Sequence, residues 1–252
     1  MSVLGELSPW LWVLVPLAVL AAYTVLGLSG FGSTIVSVPI LAHFLPISYL
    51  VPLMALLDCF FAGLVGRTGR REVSRAELKW IVPFMMAGFA LGLTVLVGVP
   101  DRYLRVALGI FAVAAGIHGI VNPAVRGTFS QLWVVPAGIL GGAIATVFGA
   151  GGPIYATYLA GRLEDKGELR STLSTLISIS AFSRAILYAL SGLVLNAAIL
   201  VGVVVLAPIA WLGMRIGTRI HVSLSQAQMR RAIGGVVLAT GLSLLARAAW
   251  SA

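Results

Sequence analysis

The chain has 252 residues, 60% hydrophobic and only 10% charged, with a formal charge of +9 and a mean hydropathy of +1.04. Soluble domains carry about 25% charged residues, so no soluble core could hide this much apolar surface, and the solvent is lipid. The single cysteine, Cys59, excludes an internal disulfide and a cysteine-based metal centre, and the basic residues cluster in short loops without the aromatic interleaving of a nucleic-acid surface.

A helix that crosses the hydrocarbon needs roughly 20 apolar residues. The predicted spans are 10–28, 48–66, 80–99, 102–121, 131–148, 172–192, 194–214 and 228–249. The N-terminal MSVLGELSPW has no Lys or Arg before the first apolar run, which argues against a cleaved signal peptide. Shorter apolar pieces at 33–45 and 153–160 each follow a glycine-rich interruption, GFGSTIVSVP at 30–39 and GAGGPIYATYL at 149–159. The expected fold is an all-α polytopic membrane protein of about eight transmembrane segments. It forms one domain over 1–252, with the first and fifth segments broken.

Basic residues set the topology. The loops at 66–79 (Arg67, Arg70, Arg71, Arg75, Lys79), 161–170 (Arg162, Lys166, Arg170) and 215–231 (Arg215, Arg219, Arg230, Arg231) are placed inside by the positive-inside rule. Simple alternation of eight crossings contradicts this, because it puts the second and third of these loops outside. The conflict vanishes if each broken segment enters and returns on the same side. Both termini then lie on the outer face of the plasma (inner) membrane, Arg126 lies inside, and repeat two (126–252) is inverted relative to repeat one (1–125). Interrupted helices at matching places in inverted repeats point to a transporter's binding site. The plainer reading is that the glycines permit close helix packing.

The chemistry of the breaks suits an anion. A helix start exposes unpaired N–H groups and positive dipole potential. Glycine lets backbone approach a ligand closely, and Pro153 suits the first turn of a new helix. Ser33 and Thr34 are expected to cap the helix after the first break or to bond the ligand. The expected substrate-binding set is Gly30, Gly32, Ser33, Thr34, Ser37, Thr146, Gly149, Gly151, Gly152, Pro153, Tyr155 and Arg184, with Ser29 and Thr157 nearby. Each hydroxyl also has a bland alternative, a bond to its own helix backbone. Asp58 and Arg184 fall well inside spans, where ionisable groups are costly and default to functional roles. Arg184 suits bidentate contact with an oxyanion, and Asp58 suits a coupling proton, because burial disfavours a charged carboxylate. The alternative for these two is a structural ion pair. His43 and His118 read as interfacial or packed histidines. Asn122, Asn196 and the Trp residues at 10, 12, 80, 133, 211 and 250 read as interface anchors.

GLSGFGSTIVSVPIL at 27–41, GGAIATVFGAGGPIYATYL at 141–159 and the duplicated eight-span layout together resemble the sulfite exporter family of the TauE/SafE type. The positions that carry the resemblance are Gly30, Gly32 and Pro39, then Gly149, Gly151, Gly152 and Pro153. Phe31 and Ser33 depart from the family's usual glycine run. The resemblance implies a secondary transporter exporting sulfite or an organosulfonate such as sulfoacetate. The expected partners are that small anion, the lipid bilayer and a coupling proton, with no nucleic acid, no cofactor and no metal. Assembly as a homo-oligomer is left open. No G-x-x-x-x-G-K-[ST] motif occurs, so direct ATP use is not expected. An inside-negative potential by itself favours anion exit by about 2.3 kcal/mol per charge per 100 mV, so uniport without a coupling ion stands as the alternative to proton coupling. Two competing readings are an anion channel using the same site, and an intramembrane serine protease. The second rests on G-x-S-G at 27–30, with Ser29 as nucleophile and His118 as base.

Overall fold

The computed structural model describes residues 10–29, 32–65, 73–121, 129–219 and 226–250. Gly30, Phe31, Arg67, Arg70, Arg71, Asn122 and Arg126 lie outside the described residues, as do the side chains of Ser29 and Arg230. Among the described residues the regular elements are all helices. They are α1 (Leu11–Ser29), α2 (Ser33–Leu41), α3 (Ile47–Val65), α4 (Arg75–Gly98), α5 (Asp101–Val121), α6 (Val134–Phe148), α7 (Gly152–Ala160), α8 (Lys166–Leu190), α9 (Ala197–Arg219) and α10 (Gln226–Trp250).

Seven of these are long and apolar enough to cross a membrane: α1, α4, α5, α6 with the turn before it, α8, α9 and α10. The apolar part of α3, Ile47–Ala62, is shorter. Together they supply eight segments. The two short helices are different. At nine residues each, α2 and α7 rise about 13 Å, under half of a hydrocarbon core of about 30 Å.

Hydrogen bonds between distant segments sort the helix ends onto two faces. On the basic face, the first turn of α4 meets the turn after α7. Glu77 is 7% exposed and accepts from Arg162 Nε at 2.9 Å and from Tyr158 Oη at 2.7 Å. Arg162 Nη1 also donates to the Phe129 carbonyl at 3.0 Å, and its bond to Glu77 raises the guanidinium's pKa above the usual value. On the opposite face, the turn after α2 meets the start of α5 and the end of α10. Asp101 accepts from the Ile47 N–H at 2.7 Å, and Arg247 donates to the His43 carbonyl at 3.0 Å. The described ends of the chain therefore share a face: Trp10 stacks edge-on against Phe44, and Arg247 binds His43. The described ends of each interrupted segment meet: Trp10 contacts Phe44, and the Phe129 N–H donates to the Gly161 carbonyl at 2.7 Å. All six tryptophans are exposed; Trp80 and Trp133 lie by the basic-face ends of α4 and α6, Trp10, Trp12 and Trp250 by the opposite ends of α1 and α10, and Trp211 lies within the span of α9.

Lipid supplies no hydrophobic drive between apolar helices, so close packing must hold them together. The closest pairings are α1 with α9, α4 with α6, α5 with α10 and α3 with α8. Glycines make the first three possible. A Cβ on Gly217 would sit 2.2 Å from the Thr24 carbonyl oxygen, and one on Gly142 would sit 2.4 Å from that of Met85. Gly27, at the start of the first motif, belongs to this class, since its Cβ would meet the Met214 carbonyl at 2.4 Å. The packing explanation thus holds for some motif glycines. The four pairings also map onto themselves when α1–α5 exchange with α6–α10: α1–α9 becomes α6–α4, and α5–α10 and α3–α8 return to themselves.

Candidate functional site

The two breaks meet. Gly32 takes a left-handed conformation (φ 101°) at the start of α2, and Gly149 does the same (φ 72°) at the end of α6. L-residues with a Cβ rarely adopt this conformation, which explains a glycine at each turn. A Cβ on Gly149 would lie 2.0 Å from Thr34 Cγ2, so the first turn of α2 packs directly on the backbone of the second break. From there α7 starts, with Gly151 as its N-cap and Pro153 in its first turn, the slot expected from sequence.

Beside this junction lies a cavity of about 90 Å³, room for several water molecules. Of the residues expected from sequence, Gly32, Ser33, Thr34, Gly149, Gly151, Gly152, Pro153, Tyr155, Asp58 and Arg184 all reach its wall. Gly30 lies outside the described residues. Two others are placed elsewhere. Ser37 is fully buried one turn further along α2 with no partner for its hydroxyl among the described residues. Thr146 is fully buried and donates to the Gly142 carbonyl of its own helix at 3.1 Å, the bland alternative for a helix hydroxyl. Thr157 likewise bonds the Pro153 carbonyl at 2.8 Å. Of the serine–histidine pairing, His118 borders a separate apolar cleft, and Ser29 ends α1 with its side chain outside the described set.

The charged groups are wired asymmetrically. Asp58 of α3 accepts from Tyr23 Oη at 2.9 Å and Ser33 Oγ at 2.8 Å on one oxygen, and from Thr34 Oγ1 at 2.6 Å on the other. Ser33 and Thr34 therefore neither cap α2 nor stand free for a ligand, because the N-cap is Gly32 and the hydroxyls are committed to Asp58. A carboxylate already sits at the positive end of α2, where the dipole favours it. Arg184 of α8 is 4% exposed. Its Nη1 donates to the Ala145 carbonyl at 2.9 Å, and Tyr188 one turn later donates to the Thr146 carbonyl at 2.5 Å. The pair thus closes the C-terminal end of α6, where cations and donors are favoured. Arg184 Nη2 stands 3.9 Å from Asp58 Oδ2, a loose ion pair without a hydrogen bond. Arg184 Nε and Tyr155 Oη, both buried and on cavity-lining residues, have no partner among the described residues.

Sequence reasoning missed Tyr23, Ser174, Ser178 and Ser180. The last three lie on the cavity wall from α8. Their signal was present in the run STLSTLISIS at 171–180, where hydroxyls recur at helical spacing in an otherwise apolar span.

Residues 14–244 match the family described as sulfite exporter TauE/SafE. The chain belongs to that family. It is also 27% identical over 194 residues, 76% of this chain and 81% of the relative, to the protein named "Probable inner membrane transporter protein TsaS" of Comamonas testosteroni. No solved structure matches the chain. Family membership and the apolar helices make it a multi-pass protein of a membrane transporter family.

Proposed function

We propose that the protein is a secondary transporter that exports a small sulfur-containing anion, sulfite or an organosulfonate such as sulfoacetate, across the inner membrane. The observation that carries this reading is the buried Arg184, whose Nε is unpartnered beside the glycine-lined start of α7. A fixed cation and a helix N-terminus on one small cavity suit an oxyanion. Asp58 fills the matching position at α2, so the substrate's place is at α7. The self-mapping helix pairing supports two inverted repeats, divided near residues 125 and 126, with the cavity between them. The loop charges support placing the basic face inside and both termini outside. Relatives named for sulfite export and inner-membrane transport support the substrate class and the location.

The purified protein in liposomes is expected to carry sulfite or sulfoacetate with saturable flux. Linear flux up to high concentration would make the site a channel, and no flux of either anion from folded protein would remove the sulfur assignment. Asp58 is proposed as the carrier of a coupling proton. Asp58→Asn is then expected to flatten the pH dependence of the same flux, and an unchanged pH profile would take Asp58 out of that role.

A further inference from the structure

Beyond Asp58, Arg184 and the two breaks, the cavity wall includes Leu26 of α1, Phe61 and Ala62 of α3, and Ser174, Ile177 and Ser178 of α8, which lie toward the basic-face ends of their helices. On the opposite side α3 is packed solid, with Leu50, Leu53, Met54 and Leu57 at most 1% exposed. Tyr188 shuts the same side against the Thr146 carbonyl.

The short helices show a second asymmetry in the same direction. α2 packs against both α5 and α10. The turn that follows it is fastened to both, by Arg105 of α5 on the Ala42 carbonyl, by Arg247 of α10 on the His43 carbonyl, and by the contact of His43 with Ser243 at 3.1 Å. Its counterpart α7 packs closely against neither α5 nor α10 among the described residues. A largely apolar cleft of about 300 Å³ separates it from α5, with Phe111 and Ala115 on one wall and Ile154 and Thr157 on the other. The turn after α7 is held instead by Glu77 of α4. Pro153 borders both the cleft and the central cavity.

Resting on the transporter reading above, we infer that this structure is the state open to the basic face, with the Ser174–Ser178 wall of α8 as the anion's access path and α7 and α2 as alternating gates. In the other state α7 docks on α5 and α10 and closes the cleft, while α2 releases the same two helices and opens the opposite face. Rocking between inverted repeats around a fixed site gives this exchange without new contacts having to be invented, because each gate adopts the packing its counterpart already shows.

The test uses the full chain in a Cys59→Ser background. Ser178→Cys is labelled with a membrane-impermeant maleimide from either face of oriented vesicles, without substrate. Labelling from the basic face is expected to be roughly tenfold faster than from the opposite face, as for a state that dominates the population. Equal rates from both faces would overturn the gate. In a second variant, His43→Cys with Ser243→Cys, a short bis-maleimide ties the turn after α2 to α10. Flux is expected to fall at least roughly tenfold below that of the two single-cysteine variants treated alike, because a locked gate removes one of the two states. Cross-linked protein transporting at that reference rate would overturn the proposal. A protein that carries neither anion before cross-linking would count against the substrate reading alone, since the labelling asymmetry is measured without any substrate.

Discussion

Arg184→Ala is expected to lower sulfite flux at limiting concentration by at least a hundredfold. Among the described residues, Asp58 and Arg184 are the only charged groups on the cavity wall. With both present the wall is neutral, and the guanidinium keeps Nε for an incoming anion. Removing Arg184 leaves Asp58 alone, so the arriving anion loses an attraction and meets an unscreened repulsion. Two unit charges about 4 Å apart interact with roughly 4 kcal/mol at an effective dielectric of 20. Losing about 3 kcal/mol of that corresponds to the hundredfold fall. The competing explanation is that Arg184 only braces the end of α6 through the Ala145 carbonyl. Tyr188→Phe separates the two, because it removes the neighbouring brace on the Thr146 carbonyl without touching a charge. It is expected to cost about 1 kcal/mol of stability, as one hydrogen bond does, and to keep most of the flux. Arg184→Lys should fall between, retaining charge but not the planar fork. Flux in liposomes and melting temperature in detergent, measured on all three, decide the matter. An Arg184→Ala protein that melts early yet transports normally would make the arginine a structural brace.

The parts of this fold that were readable from sequence were those set by a single segment's chemistry. Apolar length gave the long helices. Glycine clusters marked where α2 and α7 start, with Gly32 and Gly151 at their N-caps. Asp58 and Arg184 were legible because a charge inside an apolar span is costly enough to stand out. What stayed hidden depended on which segments meet. Tyr23 looks like any packed aromatic until α1 is laid against α3 and its hydroxyl reaches Asp58. Ser33 and Thr34 read in sequence as helix caps or ligand contacts, because the carboxylate that accepts their hydrogen bonds is 25 and 24 residues away. The Glu77–Arg162–Tyr158 cluster joins residues more than 80 positions apart. Helical phase and depth decided Ser37 and Thr146, whose hydroxyls resemble those of their neighbours in sequence but are fully buried away from the cavity wall. The glycines divided in the same way: Gly27 serves a helix crossing, while Gly32 and Gly149 serve a turn.

Gly149→Ala is expected to destabilise the protein severely, and Gly152→Ala, three residues away, hardly at all. At Gly149 two costs add. Its φ of 72° is left-handed, where a residue with a Cβ costs roughly 1–2 kcal/mol. The added methyl would also sit 2.0 Å from Thr34 Cγ2, and forcing a methyl into a packed site costs about 1–3 kcal/mol. Thr34 has little freedom to yield, because its hydroxyl is held on Asp58 at 2.6 Å and its residue is 3% exposed. Relief of the clash would therefore pull α2 away from the second break and Thr34 away from the carboxylate. The expected sum, on the order of 2–5 kcal/mol, is a large share of an ordinary stability margin. At Gly152 the nearest atom to a new Cβ is Ile177 Cδ1, at 3.9 Å and in ordinary contact. That methyl would stand on the cavity wall beside the start of α7, so Gly152→Ala should melt like the wild type and lose flux by lowering affinity for the anion. Equal melting temperatures for the wild type and Gly149→Ala would mean that the two breaks do not touch, and the single site argued from their junction would fall with that contact.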